Sequence, residues 1–296
     1  MRSCRAVTLT EMLVVVAGIS CLTAVAVPAV VGAKDAAHVA VCGANLHHLG
    51  AALLLYAEDH DGFLPDSGAA SALGGPLPQD GFHTPGRWDS PGTAAWPDVR
   101  DVGNQANLWI LVRQGYAVPG LFICPATADK PSLNDSADAR VMGFYALDPE
   151  TAAATPDESA FLKRVAAGRC SYSYQNQFAH PAVDEAVVAP ANATTRQCVH
   201  PPDLAIAADR NPYARPRLTR QPIVPVADGP LANSLNHGGR GQNVLYLGGH
   251  VEWHESPLCG AAKPDGSRDN IYWPDAGQPD DATNVPRAIT DSYLVP

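Results

Sequence analysis

Ala6-Val7-Thr8-Leu9-Thr10-Glu11 runs directly into Met12–Ala33, and the reading of this stretch decides the architecture. Arg2 and Arg5 precede it, and none of the 22 residues from Met12 to Ala33 carries a charge. As a helix, that segment would extend about 33 Å, enough to cross a hydrocarbon core of about 30 Å. Glu11 is the anomaly. An ionisable group at the lip of an apolar span is expensive unless paired, which makes it a candidate functional residue. A secretory signal peptide would use similar parts, with Ala24-Val25-Ala26 as its cleavage site. Apolar character continues past Ala26 through Val27, Ala29, Val30 and Val31, while Thr8, Thr10 and Glu11 occupy positions where such a leader is already apolar. The residues therefore favour an anchoring span.

Beyond Asp35 the pattern changes from apolar all round to amphipathic. Val39, Leu46, Leu49, Leu53 and Tyr56 recur at helical spacing, and His38, Asn45, His47 and Glu58 fall on other faces. Asp61-Gly62 and then Pro65 supply the stop signal. One helix of roughly 50 residues is expected, lipid-facing at first and then packed by one face on a soluble domain.

Ala6-Val7-Thr8-Leu9-Thr10-Glu11 followed by a long apolar helix resembles the processing site of type IV prepilins and type II secretion pseudopilins. The resemblance implies cleavage between Ala6 and Val7 by a prepilin peptidase, N-methylation of the new amine of Val7, and an assembly role for Glu11. Ala6 stands where the family customarily has glycine, Val7 where it has phenylalanine, and Thr10 where it has an aliphatic residue. Pro28 lies where such helices often carry a proline. Cys42 to Tyr56, reading Cys-x-x-Asn-Leu-x-x-Leu-Gly-x-Ala-Leu-x-x-Tyr, is similar to the large pseudopilin-like family of planctomycete-type bacteria. In that family a histidine precedes an Asp-Gly turn by nine residues. Here His237 is followed at that distance by Leu247-Gly248, and alignment through His250-Val251 puts Gly248-Gly249 at the turn, so the aspartate is missing either way. Asp269-Asn270-Ile271-Tyr272 and Asp291–Pro296 also look like the ending of that family.

With 46% apolar and 17% charged residues, the 296-residue chain has the composition of a folded protein. Its 27 prolines and 25 glycines predict many turns and short strands after the helix. Setting aside Arg2, Arg5, Lys34 and Glu11 leaves 17 of the 20 basic and 29 of the 30 acidic residues, a net charge of −12. That acidity argues against nonspecific nucleic-acid binding, which depends on cations at phosphates. The basic leader and acidic remainder predict the leader in the cytoplasm and the head outside. Of seven cysteines, Cys4 and Cys21 fall in the leader and the span. The other five, Cys42, Cys124, Cys170, Cys198 and Cys259, contain no C-x-x-C pair, which argues against a zinc ribbon. Cys42 with Cys124 is the candidate disulfide, one on the long helix and the other before a proline in an apolar run.

Residues 67–101 read as a polar loop insertion holding Trp88 and Trp96. Asn107–Tyr116 reads as a short helix and Leu121–Pro125 as a buried strand. Met142–Leu147, Cys170–Phe178 and Ala205–Ala208 are strand candidates, with Tyr172 and Tyr174 facing opposite to Ser171 and Ser173. The clearest hairpin joins Asn243–Leu247 to His250–Trp253 through Gly248-Gly249.

No catalytic set emerges. Gly239-x-Gly241 lacks the third glycine of a dinucleotide fingerprint, and neither G-x-S-x-G nor H-E-x-x-H occurs. His250, Glu252 and His254 would share one strand face, either as metal ligands or as a solvated edge; a zinc hydrolase built on the two histidines is the enzyme reading they offer. Asp59 and Asp61, near Glu58 and Asp66, are candidate calcium ligands at the helix end, although the spacing fits no complete EF-hand loop. Arg210, Arg215, Arg217 and Arg220 form a local basic patch.

The expectation is an α+β protein, pilin-like, with a long N-terminal helix packed on an antiparallel sheet head with loop insertions. Its parts are a leader (1–6), a transmembrane assembly helix (7–33), an amphipathic continuation (34–60) and an extracytoplasmic head (61–296). The function implied is that of a structural subunit in a type II secretion pseudopilus or type IV pilus-like filament. It is not an enzyme, carries no cofactor, and sits in the inner membrane with one span. Its partners are prepilin peptidase, other pilin-like subunits and the inner-membrane assembly platform. The alternative is a membrane-anchored cell-surface binding module that uses this terminus only for export and anchoring.

Overall fold

A computed structural model describes residues 8–65, 83–84, 102–103, 105–131, 170–175, 201–213, 229–273 and 291–295. One helix, α1 (Leu9–Asp59), runs unbroken for 51 residues. Thr8 starts it with a capping box: its hydroxyl accepts from the Glu11 N–H, and the Glu11 carboxylate accepts from the Thr8 N–H. Every residue from Thr8 to Lys34 is exposed, and the apolar stretch makes α1 long and apolar enough to cross a membrane. The polar hydroxyls inside that stretch return to the backbone, Ser20 to Val16 O at 2.8 Å and Thr23 to Ile19 O at 3.0 Å. Pro28 lies inside the helix without breaking it, although it removes the donor that the Ala24 carbonyl would otherwise meet.

The second half of α1 is buried along one stripe. Cys42, Leu46, Leu49, Leu53 and Tyr56 follow one another at steps of three and four, so a single face meets the head. The stop is as expected: Asp61 takes a left-handed φ of 53° and Gly62 one of 83°. Behind it come β1 (His83–Thr84), β2 (Val102–Gly103), α2 (Gln105–Arg113), a 3-10 turn at Pro119–Phe122, β3 (Tyr172–Gln175) and β4 (Ala205–Asp209). A second 3-10 turn, Leu235–His237, precedes β5 (Gln242–Tyr246), β6 (Val251–His254), β7 (Leu258–Ala262), β8 (Arg268–Asn270) and β9 (Leu294–Val295).

Among the described residues the main sheet has five antiparallel strands in the order β6-β5-β4-β3-β9. Its strands are buried on both faces in the centre. Tyr172, Tyr174, Ile206 and Leu245 join the stripe of α1 in one apolar cluster. Ala205, Ala208, Val244, Tyr246 and Leu294 join Cys259, Ile271 and Tyr272 in a second cluster beneath the β7–β8 ribbon. A register shift between Ala205 and Ala207 sends both Ile206 and Ala207 to the helix side. The layers are therefore helix, sheet and ribbon, an α+β arrangement. Gly50 lets α1 lie close against the sheet, since a Cβ there would stand 2.7 Å from Leu245 Cδ1.

The β5–β6 hairpin turns through Gly248-Gly249, where Gly249 has φ +86° and donates to Tyr246 O at 2.8 Å. Leu121–Pro125 is not a strand. Pro119 sets a 3-10 turn instead, and the following carbonyls find other partners: Phe122 O accepts from Ser171 N–H at 2.8 Å and Ile123 O from the Asn45 amide at 2.9 Å. Met142–Leu147 and most of the 67–101 insertion lie outside the described residues. From that insertion, β1 pairs with β2 just beyond it.

Candidate functional site

Four side chains from four separate elements converge under the helix. Cys42 is the first buried residue of α1, and its Sγ lies 3.0 Å from Asp209 Oδ1. Asp209 ends β4, in register with Tyr172 of β3. His237 ends the second 3-10 turn, where Ser234 caps the N–H of Asn236 and Gly238 closes with a left-handed φ of 68°. Its Nε2 sits 3.3 Å from Asp209 Oδ2 and 3.5 Å from Cys124 Sγ. Cys124 is brought in by the Asn45 bond to Ile123 O, and its own carbonyl accepts from Thr127 N–H and Oγ1. All four residues are buried, and their ligand atoms lie within 4.8 Å of one another.

The surrounding groups hold this cluster in place. Asp209 Oδ1 accepts from the Asn236 amide at 2.9 Å, and Oδ2 from the Asn243 N–H at 2.8 Å. The Asn243 amide reaches back to Val39 O on α1 at 3.2 Å, while Asn236 also donates to Ser171 O. Tyr172 Oη is 3.5 Å from Cys42 Sγ, and Trp253 packs edge-on to the His237 ring at 5.4 Å. At the rim Arg240 pairs with Asp35 at 3.3 Å, a second tie between the head and the helix.

Burial pushes the Cys42 thiol up, and the Asp209 carboxylate adds to that. For Cys124 the hydrogen bond with Cys42, aided by His237, outweighs burial and holds the thiol down at about 6. Burial alone would depress His237, but its bonds to Asp209 and Cys124 raise it to about 9. The site thus gathers soft sulfur, imidazole nitrogen and carboxylate oxygen around one point, and it can hold a cation.

The predicted residues fall in different places. Ala6 and Val7 lie outside the described residues. Glu11 sits at the exposed tip of α1, where its carboxylate also accepts from Thr8 Oγ1 at 2.9 Å. Cys42 and Cys124, the candidate disulfide, lie close together but are not bridged: each has a free thiol. Asp59 is exposed and accepts from Tyr116 Oη at 2.5 Å; among the described residues, neither it nor Asp61 belongs to a gathered set of ligands. His250, Glu252 and His254 line a cleft of about 240 Å³ with Asp203, Tyr246 and Arg268. There His254 Nε2 lies 2.8 Å from Tyr246 Oη and 3.4 Å from Glu252, and His250 stacks on Tyr246. His254 is therefore engaged within the protein. Arg210 pairs with Asp129, whereas the other three arginines of its patch lie outside the described residues. Asp209 was not singled out from the sequence, and His237 only as a family landmark. Comparison of the chain with family models, curated proteins and solved structures finds no match.

Proposed function

We propose that this protein is a pilin-like structural subunit, anchored in the inner membrane and assembled through its N-terminal helix into a secretion pseudopilus or pilus-like filament. One observation carries the reading: α1 is a single helix in two environments, bare and apolar up to Lys34, then buried along one stripe against an antiparallel sheet from Cys42 onward. A detachable signal sequence has no need of a rigid continuation into the fold, whereas a subunit that is lifted out of a bilayer by its helix does.

Prepilin peptidase would cut between Ala6 and Val7, leaving Thr8 and Glu11 one and four residues after the new terminus. Within one subunit the Glu11 carboxylate is held at the lip by Thr8. In a filament it would exchange that contact for the methylated amine of a neighbour, an ion pair that offsets the cost of a carboxylate among apolar helices. The bare surface of α1, including Leu13, Val16, Leu22 and Val25, would then pack against other helices. N-terminal sequencing and intact mass of the mature protein test this. A methylated start at Val7 is expected; a start at Val27 would mean a cleaved signal peptide and would overturn the reading.

A further inference from the structure

We propose that Cys42, Cys124, Asp209 and His237 bind a divalent zinc ion that fastens the anchoring helix to the head. The argument rests on convergence. Zinc at about 2.3 Å from sulfur and about 2.0–2.2 Å from nitrogen or oxygen sets its tetrahedral ligands roughly 3.3–3.8 Å apart. Here the imidazole Nε2 is 3.3 Å from Asp209 Oδ2 and 3.5 Å from the sulfur of Cys124, within that range, while the sulfur of Cys42 stands closer, 3.0 Å from Asp209 Oδ1, a gap that a bound ion would widen slightly. Four donors from the helix, the segment after a 3-10 turn, a strand end and a second 3-10 turn thus face one small volume.

A disulfide would use the two sulfurs alone. It would not account for an imidazole aimed at both Cys124 and Asp209, nor for a carboxylate aimed at Cys42. The outer groups also match what metal sites need, because ligands are oriented by hydrogen bonds from behind. Asn236 and Asn243 donate to the two oxygens of Asp209, and the Tyr172 hydroxyl, which accepts from the Cys42 thiol at 3.5 Å, would turn to donate once that thiol loses its proton to the ion. Two thiolates, one carboxylate and a neutral imidazole give the bound ion a site of net charge −1, which those donors offset.

With four protein ligands, all buried, the site is closed, and the ion would be structural rather than catalytic. Its position gives it a job. Cys42 is the first inward side chain of α1, so the ion would pin the helix where it leaves the bare span and joins the sheet. This holds whether or not the helix enters a filament.

The full chain, extracted in detergent without chelator, should contain one zinc per molecule by plasma mass spectrometry. Replacement with cobalt should give the intense visible bands of a tetrahedral ion and a thiolate charge-transfer band. Cys42→Ser and His237→Ala should abolish stoichiometric zinc, while His237→Cys should keep it, as should Cys170→Ser and Cys259→Ser. Asn236→Ala should weaken the site by about 10–100-fold. Wild-type protein that neither retains zinc nor gives the tetrahedral cobalt spectrum on reconstitution would overturn the proposal. So would a Cys42–Cys124 bridge in a non-reducing peptide map.

Discussion

Cys42 Sγ lies 3.0 Å from Asp209 Oδ1, so the first inward side chain of the long helix meets the last residue of the central strand. The contact joins parts of the chain 167 residues apart. It also sets the consequences of changing Asp209. Removing the carboxylate in Asp209→Ala leaves the Asn243 N–H without its acceptor, the Asn236 amide with Ser171 O alone, and His237 without its carboxylate partner. Breaking a buried pair in this way costs about 3–5 kcal/mol. Asp209→Asn keeps an acceptor oxygen and should lose less. Denaturant unfolding of the purified chain, followed by Trp fluorescence, gives the order wild type, Asn, Ala.

The helix–sheet contact at Gly50 leads to a second expectation. Alanine raises helix propensity by about 1 kcal/mol over glycine. Its methyl would nevertheless stand 2.7 Å from Leu245 Cδ1, and overpacking of this kind costs about 1–3 kcal/mol. Gly50→Ala should therefore lower the melting temperature despite its better propensity. Leu245→Val should recover part of the loss in the double variant, a non-additive result that independent sites would not give.

How much of this was legible in the sequence follows from the range of the interactions. The helix was, because a charge-free run passing into a three-and-four apolar spacing depends on local chemistry alone. So was the β5–β6 hairpin, since Gly248-Gly249 announces its own turn. Leu121–Pro125 was misread because a short apolar run is buried equally well as a strand or as a turn pinned by Asn45 and Ser171. The cluster was only half legible. Cys42 and Cys124 stand out in the sequence as a candidate disulfide, but Cys124 and His237 are 113 residues apart, and Asp209 follows an unremarkable Ala-Ile-Ala-Ala run. Long-range contacts bring them together: α1 packed on the sheet, the Asn45 bond to Ile123 O, and the 3-10 turn that carries His237. The available signal was a carboxylate closing a fully apolar strand, which is costly unless it has partners.

The cleft at the ribbon side gives a pH dependence. Burial lowers His254 below its ordinary value, with Glu252 opposing and Arg268 and His250 assisting. The unfolded chain then binds the proton more readily than the folded one, so this group's contribution to stability falls as pH drops through about 6.5 and is retained above it. Asp203 and Arg268 also face the cleft. The loss in denaturation midpoint between pH 8 and pH 5.5 should be smaller in His254→Gln than in wild type. An unchanged difference would assign the pH response to other groups.

A pair of substitutions separates the capping contact of Glu11 from the assembly role proposed for it. As the third helical residue it completes a capping box with Thr8, a contribution of about 1 kcal/mol that glutamine can also make. In the proposed assembly its carboxylate would pair with the positively charged N-terminal amine of a neighbour, and glutamine cannot supply that charge. If capping alone matters, Glu11→Gln should behave like wild type and Glu11→Ala should not. If the charge matters, both variants should be cut normally between Ala6 and Val7 yet fail to enter filaments, as read by intact mass and by the sheared-filament fraction. The expected result is the second, because the tip of α1 is exposed, and a frayed first turn would regain its order once packed among neighbouring helices, whereas an unpaired amine in the same bundle would stay costly.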